Sequence, residues 1–569
     1  MKLPSDDDLI ASLAGQPAPL LPLLHAFHER DGRVTDEAIS AIGRVLGKPL
    51  ADLYGTVTFY HHLSRDPGGR EKPRICTGPV CAMRGSEGLL AKLKEEGARA
   101  MPCAGRCDQP IPVLRGDRTF VGDAGGGMVE SPLSPLPAEN PALARGERLG
   151  AFEECVFMDL RKPGQATLEG YRAHGGFEGL EKALAASPRE VLRWIAESGL
   201  AGRGGAGFPT GQKWRAVAEA EGAPKTIVCN ADEGEPGCFK DRAVLDHDPF
   251  AVIEGMLIAA HATGASRGFV YLRYEYPETS MRLRAAIADA YGEGLLGADA
   301  LGEGRPFDLW LRRGAGAYIC GEEGSLLNSL EGRHPFPRNR PPFPVTHGFE
   351  NLPTAVNNVE TLASVPRIVR LGAEWYRGLG LSGLPGTKLI SLSGDIQRPG
   401  NYEIPFGLPL RTLLEDWAGG APGGRSIQAV TMAGLSGGFL AGEDLDVALD
   451  EASIRAKGSF LGAGGIIVFD SSRDMVEAAA MAMEFFAGES CGKCFPCRIG
   501  TQRLKERLAR EAGPTDYATW EAEVKDLCEV MKSASACGLG IAAPLVAESL
   551  LRYFAPKVEA ALARAGGGS

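Results

Sequence analysis

A chain of 569 residues exceeds what one hydrophobic core fills, and its length points to roughly three to four domains. Apolar residues at 44% and charged residues at 23% are ordinary for a globular protein, while the net charge of -11 argues against a nucleic-acid binder, whose phosphate contacts need a basic surface. No apolar run of about 18 residues exists and the acidic start lacks a secretory leader, so the expectation is a cytoplasmic protein without membrane or nucleic-acid partners. In that compartment 13 cysteines point to metal or cluster ligation rather than disulfides.

In chain order, Leu20, Leu21, Leu23, Leu24 and Phe27 form one helical apolar face. Ile39, Ile42 and Val45 form another, with Gly47 as a stop, so 20–63 is a small helical bundle. Residues 74–76, a helix near 87–96, 100–103 and 111–114 alternate as strand, helix and strands in a small α/β layer. Pro132, Pro135, Pro137 and Pro141 mark 131–150 as an interdomain linker. Ser187-Pro-Arg-Glu190 predicts a capping box and a helix ending at Gly199. A glycine loop then leads to a short helix capped by Thr210 and a strand over 226–230. Strands at 268–273 and 307–311 alternate with helices such as 281–291, which predicts a largely parallel covered sheet. A β-rich insert is expected over 388–470, helices from Met475 to about Leu562, and a flexible Gly-Gly-Gly-Ser tail.

Cys491, Cys494 and Cys497 in a C-x2-C-x2-C run, with Cys537 downstream, have the spacing that holds a [4Fe-4S] cluster. Cys76 and Cys81, and Cys103 and Cys107, place two thiols on each of two loops, and spacing alone leaves an iron–sulfur cluster and structural zinc both open. Gly202, Gly204 and Gly207 match G-x-G-x-x-G, but a capped helix rather than a strand precedes them, so the ordinary Rossmann reading fails. The loop can still bring backbone N–H groups and a helix end to a phosphate, with Arg203 and Lys213 on either side; a ligand-free turn is the alternative. Asn230 leads into Asp232, Glu233 and Glu235, which fit a ligand crevice, a solvated acidic loop or magnesium. Gly314 to Glu323 repeats the pattern, and the three loops suggest one cleft.

Leu53-Tyr-Gly-Thr-Val-Thr-Phe-Tyr60, followed by the first quartet, resembles the thioredoxin-like [2Fe-2S] subunit that accompanies the flavoprotein of respiratory complex I. Gly-Arg-Gly-Gly-Ala-Gly-Phe-Pro-Thr-Gly at 202–211, Cys-Asn-Ala-Asp-Glu-Gly-Glu-Pro-Gly at 229–237 and Tyr-Ile-Cys-Gly-Glu-Glu at 318–323 resemble the NADH-binding flavoprotein itself. So do Val-Asn-Asn-Val-Glu-Thr at 356–361 and Glu-Ser-Cys-Gly-Lys-Cys-Phe-Pro-Cys-Arg at 489–498. The resemblance implies [2Fe-2S] on Cys76, Cys81, Cys103 and Cys107, and [4Fe-4S] on Cys491, Cys494, Cys497 and Cys537. It implies FMN contacts from Arg203, Gly204, Lys213, Asn230, Asp232, Gly321, Glu322, Asn357, Asn358 and Thr361, with Gly202, Gly205, Glu233 and Tyr318 as further cofactor-binding residues. NAD(H) would lie between Phe208 and Phe343 near Arg340, with Glu235 and Glu323 as the catalytic carboxylates beside its sugar and nicotinamide. Two positions depart from the family: Ala216 replaces a frequent aromatic, and Arg340 a common lysine.

The implied fold is α/β multidomain. It comprises a helical plus thioredoxin-like [2Fe-2S] domain (1–130), a linker (131–150) and a Rossmann-like FMN/NAD(H) domain (151–387). A ubiquitin-like β-grasp insert (388–472) and a helical [4Fe-4S] domain (473–565) complete it. The fused arrangement is most similar to the β (diaphorase) subunit of soluble NAD-dependent formate dehydrogenases. That similarity implies a catalytic α subunit carrying iron–sulfur clusters and a molybdenum or tungsten pterin, in a hetero-oligomer such as a dimer of heterodimers. The diaphorase subunit of an NAD-reducing [NiFe] hydrogenase and a fused complex I subunit are the alternatives, and a docking module with vestigial loops is the reading from another class.

Overall fold

The structure is a computed structural model that describes residues 3–131, 133–511, 513 and 516–566. Pro132 of the expected linker and the 567–569 end of the expected tail lie outside the described residues. The chain begins with four helices: α1 (Asp6–Leu13), α2 (Leu20–Asp31), α3 (Asp36–Leu46) and α4 (Leu50–Phe59). Helix α1 was not anticipated by apolar spacing; its start is fixed by a Ser5/Asp8 capping box. Gly32 and Gly47, both left-handed, end α2 and α3. Val45 is 46% exposed, contrary to expectation. At 100° per residue it lies about 120° round the helix from Ile39, and Leu46 packs against the core instead.

The first sheet has the order β2-β1-β3-β4-β5. It comprises β1 (Arg74–Cys76), β2 (Arg99–Met101), β3 (Pro112–Arg115), β4 (Arg118–Gly122) and β5 (Met128–Glu130), with α5 (Pro79–Met83) and α6 (Ser86–Lys92) between β1 and β2. Only β1 and β2 pair in parallel, so the loops that follow them leave the sheet at the same end. The segment after β5 does not hang free. Ser134 donates to Asp246, Asn140 donates to the Glu403 carbonyl, and α7 (Pro141–Ala144) buries Ala142 in the core of the third sheet.

Helices α8 (Leu168–Ala173), α9 (Glu178–Ala185), α10 (Pro188–Ser198) and α11 (Thr210–Glu219) precede a four-stranded parallel sheet of order β8-β7-β6-β9. Its strands are β6 (Lys225–Ala231), β7 (Ala265–Leu272), β8 (Asp308–Arg313) and β9 (Thr354–Asn358). Its helices are α12 (Lys240–His247), α13 (Pro249–Thr263), α14 (Pro277–Gly292), α15 (Glu323–Leu330), α16 (Pro344–His347), α17 (Val359–Leu371) and α18 (Ala373–Gly378). The Ser187/Glu190 capping box starts α10 as expected. Thr210 is not a cap: Pro209 holds that position, and the Thr210 N–H closes the loop on the Leu200 carbonyl. Alternate residues of β6 and β7 face two cores. Val228, Phe269 and Tyr271 join the amino-terminal bundle and the carboxy-terminal helices, whereas Ile227, Cys229, Val270 and Leu272 pack with α13 and α17.

The third sheet, of order β11-β10-β14-β12-β13, has β10 (Thr387–Gly394) parallel to β14 (Gly465–Asp470) and its other pairs antiparallel. Its remaining strands are β11 (Gly400–Pro405), β12 (Ile427–Thr431) and β13 (Phe439–Ala441), and α19 (Glu451–Ala456) precedes β14. The chain closes with α20 (Met475–Glu489), α21 (Phe495–Leu508), α22 (Tyr517–Ala534), α23 (Gly538–Ala542) and α24 (Pro544–Gly566).

Candidate functional site

From β6 the chain runs through β7 to β8 at one edge and then crosses back to β9 on the other side of β6, so the carboxyl ends of β6 and β9 flank the point where the strand order reverses. Asn230 and Asn358 stand side by side there in register. The 202–209 loop packs against this end: Gly202 N–H donates to the Phe208 carbonyl at 2.8 Å, and Arg203 N–H donates to Thr361 Oγ1 at 2.9 Å. A Cβ on Gly204 would lie 3.1 Å from Asn358 Cβ, while Gly205 and Gly207 take φ of 124° and 64°. Among the described residues, the N–H groups of 204–207 donate to no partner within the chain. Four free donors leading into the start of α11 suit a phosphate.

The side chains divide between the cleft and its support. Arg203 is buried under the loop, donating to Tyr376 OH at 2.7 Å and stacking on Phe406 at 4.5 Å, so its backbone rather than its guanidinium faces the cradle. Lys213 reaches the Val356 carbonyl at 3.0 Å and Glu323 at 3.5 Å. Asn357 accepts from Trp214 Nε1 at 3.0 Å. Asn358 caps α17 and donates to Asp241 at 2.6 Å. Asn230 Nδ2 donates to the Gly321 carbonyl at 2.8 Å and Oδ1 accepts from Asp232 N–H at 3.1 Å, tying the acidic loop to the third loop.

The carboxylates take three different roles. Asp232 is half-buried, with its Oδ2 inaccessible and unpartnered, and burial pushes its carboxyl well above the ordinary range. Glu233, expected as a cofactor-binding residue, turns its carboxylate toward the start of α12. It accepts the N–H groups of Asp241 and Arg242 at 3.0 and 3.3 Å and the Tyr276 hydroxyl at 3.1 Å, and burial raises it to about 7. Glu235 accepts Leu435 N–H (2.8 Å), Ser436 N–H (3.1 Å), Ser436 Oγ (2.7 Å) and the Tyr318 hydroxyl, which locks it between the acidic loop and the third sheet. Glu322 accepts from Ser325 N–H at the start of α15 and pairs with Arg340, which lies 3.1 Å from Glu323. Phe208 and Phe343, 49% and 52% exposed, offer apolar faces to solvent, and Ala216 offers none.

Beneath the loop lies a buried charge network that sequence reasoning missed. Glu360 pairs with Lys240 at 2.8 Å and Lys388 at 2.9 Å, and Lys240 also pairs with Asp241 at 2.6 Å. The available signal was a lysine among the apolar residues of β10, where an exposed strand residue would be ordinary.

The first four cysteines are all buried. Cys103 and Cys107 sulfurs are 3.6 Å apart, Ala104 N–H donates to Cys76 Sγ at 3.4 Å, and a Cβ on Gly78 would sit 3.0 Å from that of Cys103. The loops after β1 and β2 therefore touch. Cys491, Cys494, Cys497 and Cys537 line one pocket with Ser490, Ile319, Pro337, Lys493 and Leu539. Four thiols around one compact space fit a cubane cluster. Among the described residues no group of three or more His, Cys, Asp or Glu side chains is arranged to hold a single metal ion. Cys155, Cys229, Cys238, Cys320 and Cys528 are buried, consistent with the expected core thiols. Arg273 joins the first quartet to the cleft, donating to the carbonyls of Cys103 and Glu233.

Three family models match in chain order: thioredoxin-like [2Fe-2S] ferredoxin over 7–123, Nuo51 FMN-binding domain over 195–367, and NADH-ubiquinone oxidoreductase-F iron-sulfur binding region over 477–561. The second F subunit of the NADH-quinone oxidoreductase of Rhizobium meliloti (strain 1021) is 45% identical over 405 residues, 71% of this chain and 96% of that protein. The HndC subunit of the NADP-reducing hydrogenase of Solidesulfovibrio fructosivorans is 45% identical over 410 residues, 72% of this chain and 82% of its own length. A crystal structure of NAD+-reducing [NiFe]-hydrogenase in the H2-reduced state superposes with a TM-score of 0.79 at 31% identity, covering 95% of this chain and 93% of that one. The protein carries FMN, a [2Fe-2S] and a [4Fe-4S] cluster and takes NAD(H). The chain therefore belongs to the family of the NADH-binding, FMN and iron–sulfur F subunit of NADH-quinone oxidoreductase, here joined to a thioredoxin-like [2Fe-2S] ferredoxin.

Proposed function

We propose that the chain is the NAD(H)-side subunit of a cytoplasmic NAD-dependent formate dehydrogenase, receiving electrons from a partner that oxidises formate at a molybdenum or tungsten pterin. The reaction is reversible, with NADH as donor for carbon dioxide reduction. The domains follow the boundaries 1–130, 131–150, 151–387, 388–472 and 473–565, with the third sheet as the β-grasp unit. FMN, when bound, mediates between the paired electrons of NADH and the single electrons of a cluster. The chain's own residues position the reactants. The 204–207 N–H groups take the flavin phosphate, Phe208 and Phe343 flank the adenine, and Lys213 and Arg340 offset the charge of Glu322 and Glu323. Asp232, whose carboxyl burial raises well above the ordinary range, offers its unpartnered Oδ2 for hydrogen bonding.

The observation that carries a partner-directed role is the second quartet's setting. Phe495, next to Cys494, is 77% exposed, and Ile499 and Ile541 are exposed on the neighbouring helices. Apolar side chains of this kind around a cluster suit a docking partner. Formate as the electron source rests on the fused arrangement and on Glu489-Ser-Cys-Gly-Lys-Cys494. Near-complete overlap with the NAD+-reducing [NiFe]-hydrogenase chain favours a second reading, in which the partner is a hydrogenase. Metal analysis of the native complex decides between them: molybdenum or tungsten with formate-dependent NAD+ reduction is the expected result, and nickel with hydrogen uptake establishes the second.

A further inference from the structure

We propose that Lys388, on the first strand of the third sheet, is a positioning residue for the flavin: by holding the Arg203 carbonyl it turns the Gly204 N–H into the glycine cradle. The inference rests on the reading of that loop as the flavin phosphate site. Lys388 is buried, and its ammonium spends all three donors on three separate segments. These are the Arg203 carbonyl at 3.0 Å, Glu360 Oε2 at 2.9 Å and the Ala463 carbonyl at 3.0 Å. The preceding peptide is fixed as well, since Arg203 N–H donates to Thr361 Oγ1 at 2.9 Å.

A trans peptide is planar, with its carbonyl and the following N–H pointing in opposite directions. Drawing the Arg203 carbonyl inward to Lys388 therefore sends the Gly204 N–H outward, to the exposed side of the loop. The loop cannot hold that orientation alone, because Gly204 and Gly205 allow the peptide plane to rotate at little cost. Nor is the ammonium explained by stability. Burying it beside Lys240 and Arg203 around one carboxylate is costly, and an apolar side chain would fill the space with less desolvation. What an apolar side chain cannot supply is the bond to the loop carbonyl.

The test compares purified holoprotein with Lys388→Met, and with Glu254→Gln as a stability control. Glu254 is a buried carboxylate on α13, bound by Tyr171, Phe177 and Leu180 and outside the cleft. Released FMN is read by its fluorescence on dilution, and iron per chain is measured alongside. Loss of one charge-assisted bond is expected to weaken FMN binding about tenfold or more in Lys388→Met. Iron content stays unchanged, and Glu254→Gln retains FMN. If Lys388→Met does not fold, Lys388→Leu, which is shorter and likewise lacks a donor, carries the same test. A variant that binds FMN as tightly as wild type overturns the inference, and so does equal flavin loss from the Glu254→Gln control. Wild-type protein without FMN would instead overturn the reading of the loop.

Discussion

Glu235 collects two backbone N–H groups and two hydroxyls on one carboxylate that burial already raises above its ordinary range. The hydroxyls can rotate to other acceptors, but the Leu435 and Ser436 N–H groups cannot. Glu235→Ala leaves both unpaired in a part-buried position and should cost about 3 kcal/mol. The expected result is a lower thermal midpoint together with a raised KM for NADH, because Tyr318 and the acidic loop lose their shared anchor. A midpoint equal to wild type would show that the carboxylate holds nothing in place. Residue identities in this cleft were legible because glycines, acids and asparagines occur in unusual order. Their directions were not: Glu233 and Arg203 face into the protein because the start of α12, eight residues on, and the far-removed α18 offer them partners. Burial of Lys388 depends on a sheet whose pairing no local pattern discloses.

At the scale of elements, each cysteine quartet depends on a glycine that lets two segments meet. A Cβ on Gly540 in α23 would fall 2.8 Å from Cys497 Cβ on α21 and 2.5 Å from Ser535 Oγ. Gly540→Ala should push α23 outward and carry Cys537 away from the other three thiols, with loss of most [4Fe-4S] iron by metal analysis and electron paramagnetic resonance. The [2Fe-2S] signal should persist. Cys494→Ala should likewise remove the [4Fe-4S] signal and delivery to the partner while sparing NADH-dependent dye reduction at the flavin. Loss of FMN in that variant would show that the cluster is required for folding. Elements with strong local signals were legible in the sequence, including α10 with its capping box and β6 with its apolar Ile227-Val-Cys229 centre. Helix α1 was missed because capping rather than an apolar stripe defines it, and β9 because it ends in the polar pair Asn357 and Asn358. The 131–150 segment expected as an interdomain linker is docked on the fold by Ser134, Asn140 and Ala142, in contacts that only the tertiary structure supplies.

For the whole molecule, the amino-terminal bundle is held to the central sheet by buried histidines. His25 Nε2–H donates to the Arg313 and Gly314 carbonyls at 3.1 and 3.0 Å, and His62 Nε2 meets Glu275 at 3.1 Å. Within the bundle's own edge, His28 Nε2 accepts the Ser64 N–H at 3.2 Å and must be unprotonated to do so. Burial lowers His25 and His62 to about 4 and His28 to about 3, the last also through neighbouring His25. An unfolded chain takes up these protons near pH 6.5, so the unfolded state binds more protons below that pH and stability falls as pH drops. Glu233 and Asp248, both raised by burial to about 7, act with the opposite sign over part of the same window. The total slope therefore cannot isolate the histidines, but a difference between variants can. His28→Gln keeps an acceptor for Ser64 and removes one titration. Relative to that variant, wild type should lose about 1.4 kcal/mol per pH unit between pH 6.5 and 4.5. Calorimetric unfolding of both proteins across that range provides the measurement. A gap between them that stays constant with pH would mean that His28 does not change its protonation on unfolding, and that the bundle's attachment is not acid-sensitive through this residue.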